Sequence, residues 1–159
     1  MFTSVANFLD VWRRESESTA RVLGALSDEA LSYRAHQRSR SAGELAWHIV
    51  AAVREIGKHA GLVVNGPAND APMPRTVREI CSAYEKAAAS MADAIEGSWF
   101  DGTLSVEDHV YGESWLRGKT LFVLLCHEIH HRGQLTLLLR EAGLEVPAVY
   151  GPSGDSTQP

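Results

Sequence analysis

The longest apolar helical run of this sequence extends from Leu121 to Ala142 and contains three of the chain's seven histidines. Each residue of an α-helix advances by about 100° and 1.5 Å, so His127 and His131 lie ~40° and ~6 Å apart. Both imidazoles can therefore reach one metal ion, whereas His130 points ~80° away from the middle of that pair. The run predicts a long helix that carries a histidine pair on one face.

Apolar side chains surround this pair, because Leu124 and Leu138 fall within ~60° of His127 on the same helix. A neutral imidazole on an apolar face needs a partner for its ring nitrogen. Two histidines four residues apart also occur on many solvated helices, so the spacing alone is compatible with a metal site and with an incidental pair. The apolar surroundings favour the metal site.

Length, composition and charge indicate one globular domain. The chain has 159 residues, of which 45% are hydrophobic and 22% charged, and these values are typical of a protein with a sizeable core. A net charge of -5 argues against a nucleic-acid partner, because binding phosphates requires a basic face. No apolar run is long enough to span a membrane, so no membrane partner is expected. We predict a single domain over residues 1–152, with residues 153–159 as a frayed tail.

The N-terminus and the cysteines indicate a cytoplasmic protein. Residues 1–7 contain neither the basic nor the apolar segment that begins a secretion signal. The two cysteines, Cys81 and Cys126, are far apart and form no CxxC motif. Both are expected to be reduced, buried, small hydrophobic residues.

Apolar residues recur at helical spacing in four segments, which predicts an all-α four-helix bundle. The second segment begins with a capping box, in which Ser41 is the N-cap and Glu44 stands three residues on. Gly143 is expected to end the fourth helix. The predicted helices cover about residues 3–25, 42–62, 76–96 and 119–142.

The connections between these helices are predicted to be loops. Residues 32–41 lack periodicity, and residues 63–75 are rich in proline and glycine. Residues 98–118 form an unusually long connection, and such connections are often functional. His109 and Tyr111 lie there and are candidates for lining a pocket, although exposed loop residues are the simpler interpretation.

A third metal ligand has to come from another helix. Metal sites in helical bundles are built from side chains on facing helices, and the fourth helix supplies two ligands. His48 is the best candidate, because it lies beside the apolar stripe of the second helix; a core histidine with an ordinary hydrogen-bond partner is the alternative. His59 shares that face but lies ~16 Å farther along the axis, and His36 and His109 are in predicted loops.

Two segments together resemble the DinB/YfiT-like metalloenzyme superfamily: residues 43–48, Gly-Glu-Leu-Ala-Trp-His, and residues 127–135, His-Glu-Ile-His-His-Arg-Gly-Gln-Leu. The similarity continues through residues 139–143 and 146–151, so it covers nearly the whole chain. The resemblance implies a four-helix bundle with a metal site between helices 2 and 4, held by His48, His127 and His131. It also implies frequent homodimers, and characterised relatives include thiol S-transferases and a thiol-dependent isomerase.

The histidine segment also fits the motif H-E-x-x-H, which is a zinc-protease signature. In those proteases the two histidines hold the metal, the glutamate is the general base, and the third ligand comes from downstream. The carboxylates downstream here are few, namely Glu141, Glu145 and Asp155. With no strand to align a peptide and with His48 available upstream, a protease is disfavoured.

Glu128, the glutamate of that motif, is the candidate catalytic residue, either as a base for bound water or as an orienter of a ligand. The alternative is a surface carboxylate paired with Arg132 one turn on. Gln134, Tyr111 and Tyr150 are candidates for contacting a substrate.

The predicted ligand set determines the chemistry, because three neutral histidines leave a divalent ion its full charge and at least one open position. Such an ion can lower the pKa of bound water toward ~7, or bind and ionise a thiol. Zinc and nickel are the first choices, with iron, manganese and copper as alternatives. We predict a metal-dependent thiol S-transferase that joins a low-molecular-weight thiol to a small electrophilic substrate. The alternatives are a metal-dependent hydrolase, a non-catalytic metal-binding stress-response protein, and a helical interaction module with incidental histidines.

The fourth helix is apolar around most of its circumference. Val123, Ile129 and Leu137 point away from Leu135, so this helix has to bury more than one face. It either lies deep in its own bundle or packs in a twofold dimer, and we predict the homodimer. Gly133 is expected to admit a close neighbouring helix.

Overall fold

Four α-helices pack side by side in the structure, a computed structural model that describes residues 1–154. They are α1 (Val5–Gly24), α2 (Ala42–His59), α3 (Val77–Ser98) and α4 (Arg117–Glu141). Because α1 and α2 each pack against both α3 and α4, the predicted four-helix bundle is confirmed. Within the described residues, no helix is long and apolar enough to cross a membrane.

Polar side chains begin three of these helices. The hydroxyls of Ser4 and Thr76 accept hydrogen bonds from backbone N–H groups in the first turns of α1 and α3. The predicted capping box at Ser41 and Glu44 is present at the start of α2. Gly143 follows α4 with a φ of 76°, a conformation that glycine adopts without steric cost. The start of α2 is therefore held firmly, and α2 carries a candidate metal ligand.

The interior is filled by the apolar stripes of the helices. Trp12 of α1 is buried there, and its ring N–H donates a 3.0 Å hydrogen bond to the carbonyl of Ala88 on α3. The burial of this large ring therefore leaves no unpaired indole N–H. Other large side chains that are fully buried include Phe8, Ile49, Tyr84, Met91, Leu121 and Leu135.

The connection between α3 and α4 is structured, so the prediction of a loop over residues 98–118 was wrong. It contains a short 3-10 helix (Asp101–Ser105) and an antiparallel hairpin of β1 (Glu107–Val110) and β2 (Glu113–Leu116). The turn places Tyr111 at φ 51° and Gly112 at φ 85°, and two consecutive positive φ values suit the twist of a two-residue hairpin turn. The hairpin packs its strand β1 against α2 and joins directly to α4.

The other connections agree with the predictions. Residues 33–40 and 62–75 contain no helix or strand, and a single 3-10 turn at Glu29–Ser32 follows α1. In the predicted frayed tail, the carbonyl of Ser153 accepts a 2.8 Å hydrogen bond from Arg140, so the start of that segment is attached to α4. Residues 155–159 of the predicted tail lie outside the described residues.

Both cysteines are free, but only one is partly covered. Cys81 is half-buried, whereas Cys126 is exposed on α4. The expectation that both are buried was therefore wrong for Cys126. This residue lies on the outward face of α4, where no other helix within residues 1–154 covers it.

Candidate metal centre

Three histidines meet between α2 and α4. His48 projects from α2, and His127 and His131 project from successive turns of α4. Each offers one ring nitrogen, and these three nitrogens all lie within 4.8 Å of one another. The structure thus brings together the three residues that the sequence singled out, and it is the one group of this kind in residues 1–154.

The spacing of the ring nitrogens fits a small divalent ion. Nε2 of His48 lies 3.1 Å from Nε2 of His127. Two nitrogens bound to one tetrahedral zinc at ~2.0–2.1 Å are about 3.3 Å apart, so this pair is already at a bridging distance. The three rings also meet edge to face rather than stacked.

The three imidazoles are neutral at physiological pH. Burial, followed by the nearby Arg40 and His131, lowers the pKa of His48 to about 4. Burial, followed by the other two histidines, lowers the pKa of His127 to about 4. Burial also lowers the pKa of His131. A neutral ring nitrogen has the free lone pair that metal binding requires, so the site is prepared for a cation.

A glutamine fixes the orientation of His131. The side-chain carbonyl of Gln134 lies 2.8 Å from Nδ1 of His131, and a carbonyl oxygen can only accept, so Nδ1 carries the proton. Nε2 is then left with its lone pair. The amide nitrogen of the same glutamine lies 3.2 Å from Nε2 of His130, which is exposed and outside the group. Gln134, which the sequence suggested as a substrate contact, therefore also contacts a candidate ligand.

Glu128 does not lie with the histidines. It is only 2% exposed, and its Oε1 accepts hydrogen bonds from Thr19 at 2.8 Å and Tyr84 at 2.7 Å, which belong to α1 and α3. Its interpretation as a surface carboxylate paired with Arg132 was wrong. Burial raises the pKa of Glu128, and its Oε2 has no hydrogen-bond partner within residues 1–154. These contacts give Glu128 a place in the core of the bundle.

Arg132 extends this buried polar cluster to the C-terminal tail. Its guanidinium is 2% exposed and pairs with the carboxylate of Glu15 at 2.6 Å. The same group donates to the hydroxyls of Thr19 and Tyr150, and Tyr150 donates in turn to Glu15. Tyr150, predicted to contact a substrate, therefore ties the tail to α1 and α4.

Two charged residues, which the sequence patterns did not indicate as part of the site, lie near the histidines. Arg40 precedes α2 and lowers the pKa of His48 and His131, whereas Glu55 acts on His48 and His127 in the opposite direction. Glu55 also accepts a 3.1 Å hydrogen bond from Tyr111 in the hairpin turn. The sequence could have indicated Glu55, because it stands seven residues after His48 and therefore lies on the same face of α2.

The remaining histidines lie apart from the candidate ligands. His59 contacts the ring of Tyr111 in a tilted arrangement, with 4.7 Å between centroids. His36 is exposed in a loop, and His109 is exposed on β1. The group of three between α2 and α4 is therefore built from the ligands named by the sequence and from no other histidine.

Comparisons with known proteins agree with this architecture. A model of the DinB family matches residues 1–158. The chain is 36% identical over 153 residues to the uncharacterized protein YrdA of Bacillus subtilis (strain 168), a match that covers 96% of this chain and 92% of that protein.

Solved structures lead to the same family. A crystal structure of a DinB-like protein from Bacillus cereus matches with a TM-score of 0.91 and 36% identity, covering 94% of this chain and 100% of that chain. A DinB-like protein from Bacillus subtilis matches with a TM-score of 0.72 and 20% identity, covering 92% of this chain and 99% of that chain, and it supports the fold alone. The chain belongs to the DinB family.

Proposed function

We propose that this protein is a metal-dependent enzyme that binds one divalent ion through His48, His127 and His131 and transfers a small thiol to an electrophilic substrate. The single observation that supports it is the convergence of three neutral ring nitrogens within 4.8 Å. No carboxylate joins that group within residues 1–154, so the ligands do not neutralise the charge of the ion. Zinc or nickel suits such a ligand set, with iron, manganese or copper as alternatives.

The bound ion would supply a Lewis acid with an open position, which favours the ionised form of an incoming thiol or water. The chain's own residues do the positioning. Gln134 holds His131 in one tautomer, and burial keeps His48 and His127 neutral.

The thiol has to come from outside the chain. Cys126 is exposed and lies ~100° from His127 around α4, and Cys81 belongs to α3. Neither cysteine is among the groups that converge on the site. A low-molecular-weight thiol is therefore the proposed second reactant.

A hydrolase is the second candidate, and the electrostatic influence of Glu55 on two of the histidines favours it. The carboxylate of Glu55 is close enough to influence the pKa of both His48 and His127. A carboxylate in that position can accept a proton from a water molecule at the site. In this candidate reaction Glu55 would be the general base, a role for which the motif H-E-x-x-H had suggested Glu128.

Metal analysis followed by kinetics tests the proposal. The protein is purified without a nickel column, its metal content is measured, and rates are recorded on a panel of electrophiles and esters with and without added thiol. We expect a rate that requires both metal and thiol. A metal-dependent rate that needs no thiol would support the hydrolase, and metal-loaded protein that is inactive on the whole panel would leave a non-catalytic metal-binding protein.

A further inference from the structure

A cleft of about 340 Å³ opens beside His131, between the start of α2 and the second half of α4. Leu45, Leu137 and Leu138 form its apolar walls. Its polar lining comes from Arg40, Gln134 and the candidate ligand His131. A cavity of this volume with a few polar groups is typical of a site for a small molecule.

Arg40 is the charged group of this cleft. Its side chain is exposed, and it forms no ion pair with any carboxylate in residues 1–154. Glu44, the acidic residue in the first turn of α2, is already paired with Arg34 at 2.6 Å. The guanidinium is therefore available to a ligand, and its fork of N–H groups matches a carboxylate.

We propose that this cleft binds the substrate, a small carboxylic acid whose carboxylate pairs with Arg40 and whose apolar body packs against Leu45, Leu137 and Leu138. This inference rests on the proposed function, because a molecule so bound lies against His131 and presents its reacting atom to the histidine group. A single arginine among leucines suits a monoanion with an apolar chain better than a phosphate, which attracts several cationic donors.

Hexanoate and its neutral analogue hexanamide are suitable probes. Their binding is followed by NMR of ¹³C-labelled leucine methyl groups in metal-free and zinc-loaded protein. We expect hexanoate to shift the methyl signals of Leu45, Leu137 and Leu138 in both forms, and to bind about tenfold more tightly than hexanamide. Binding to the metal-free form shows that the carboxylate does not merely ligate the ion.

Two arginine variants complete the test. Arg40→Gln should weaken hexanoate binding about tenfold, whereas Arg38→Gln, which removes the same charge from a neighbouring exposed residue outside the cleft, should not. Equal affinity of the two variants, or shifts confined to leucines elsewhere, would overturn the proposal.

The zinc content of Arg40→Gln separates this proposal from the proposed function. If Arg40→Gln retains zinc but binds hexanoate more weakly, the result supports a cleft that is distinct from the metal centre. Wild-type protein that binds zinc but shows no preference for hexanoate refutes the cleft and leaves the metal centre standing. Wild-type protein that binds hexanoate through Arg40 but takes up no zinc supports the cleft and refutes the metal centre.

Discussion

At the scale of single residues, His130 and His131 show how one position on a helix decides the chemistry of a side chain. His131 faces α2 and shares the site with His48 and His127, whereas His130 is exposed and contacts the amide of Gln134 and the edge of His131. Helical spacing distinguished the two, because it depends only on the 3.6-residue repeat. His48 was chosen for its place beside the apolar stripe of α2, and the family resemblance then joined it to the pair, since spacing within one helix says nothing about the neighbouring helix.

The two histidines offer a matched test of the metal site. His131→Ala should abolish zinc binding, because it removes one of three ligands. His130→Ala should leave binding largely intact, because His130 contributes no ring nitrogen to the group of three. Zinc is measured by mass spectrometry after dialysis against a fixed free concentration. Equal loss in the two variants would show that the ligand assignment is wrong.

Glu128 shows what a sequence pattern misses at this scale. The motif H-E-x-x-H places a glutamate beside a ligand in sequence, but the side chain points ~100° away around the helix, toward Thr19 and Tyr84. Those partners belong to other helices, and no local pattern reveals them. The carboxyl of Glu128 is favoured in its neutral form, because burial raises its pKa. Its contribution to stability is therefore present at low pH and is lost as the pH rises through that raised pKa.

Replacing Glu128 distinguishes a core role from a catalytic one. Glu128→Gln should keep zinc binding and stability at pH 7, because its side-chain carbonyl can still accept from Thr19 and Tyr84. Glu128→Ala should lose about 2 kcal/mol or more, since both hydroxyls then lack their acceptor. Urea denaturation at pH 7 measures the difference. A folded, zinc-bound Glu128→Gln protein without metal-dependent activity would restore the catalytic role.

At the scale of elements, the helices were predictable and the hairpin was not. The apolar stripes of α1 to α4 span five or more turns, so their repeat is visible in the sequence. Each strand of the hairpin has four residues, which is too short for a clear alternation. Its turn also uses Tyr111 at φ 51°, where asparagine or aspartate is the usual signal.

The hairpin turn is testable through Gly112, whose φ is 85°. Gly112→Ala should destabilise the protein by about 1 kcal/mol or more, because a Cβ is disfavoured in that backbone conformation. Gly97→Ala is the control, since Gly97 lies in α3 with no atom near the added carbon, and alanine should be neutral or stabilising there. Thermal unfolding compares the two. Equal stability of both variants would contradict the positive φ at Gly112.

At the scale of the whole molecule, the sequence indicated four helices but not which helices are neighbours. The pairing of α2 with α4 builds the histidine group, and the pairing of α1 and α3 around α4 builds the Glu128 cluster. The charged residues Arg40 and Glu55 acquire their relation to the histidines only through this packing. The histidines of the candidate site were therefore predictable, whereas its electrostatic surroundings depended on tertiary structure.

The outward face of α4 bears on assembly. Phe122 and Ile129 are 46% and 37% exposed, and they lie on one side of this helix. Gly133 lies beside them, and no side chain or other element of residues 1–154 comes within 4 Å of a Cβ built there, so the expected close approach of a neighbouring helix is not made within the described part of the chain. A twofold dimer that packs two α4 helices together would cover this face.

We expect light scattering at micromolar concentration to give the mass of a dimer. The double variant Phe122→Glu, Ile129→Glu should be monomeric, because it places like charges at the centre of the shared face. Val63→Glu is the control, since Val63 is 87% exposed but lies off this helix, and that variant should remain dimeric. A monomeric wild-type mass would refute the predicted homodimer. If the double variant is monomeric and Val63→Glu is dimeric, with both proteins still folded, the interface is assigned to α4.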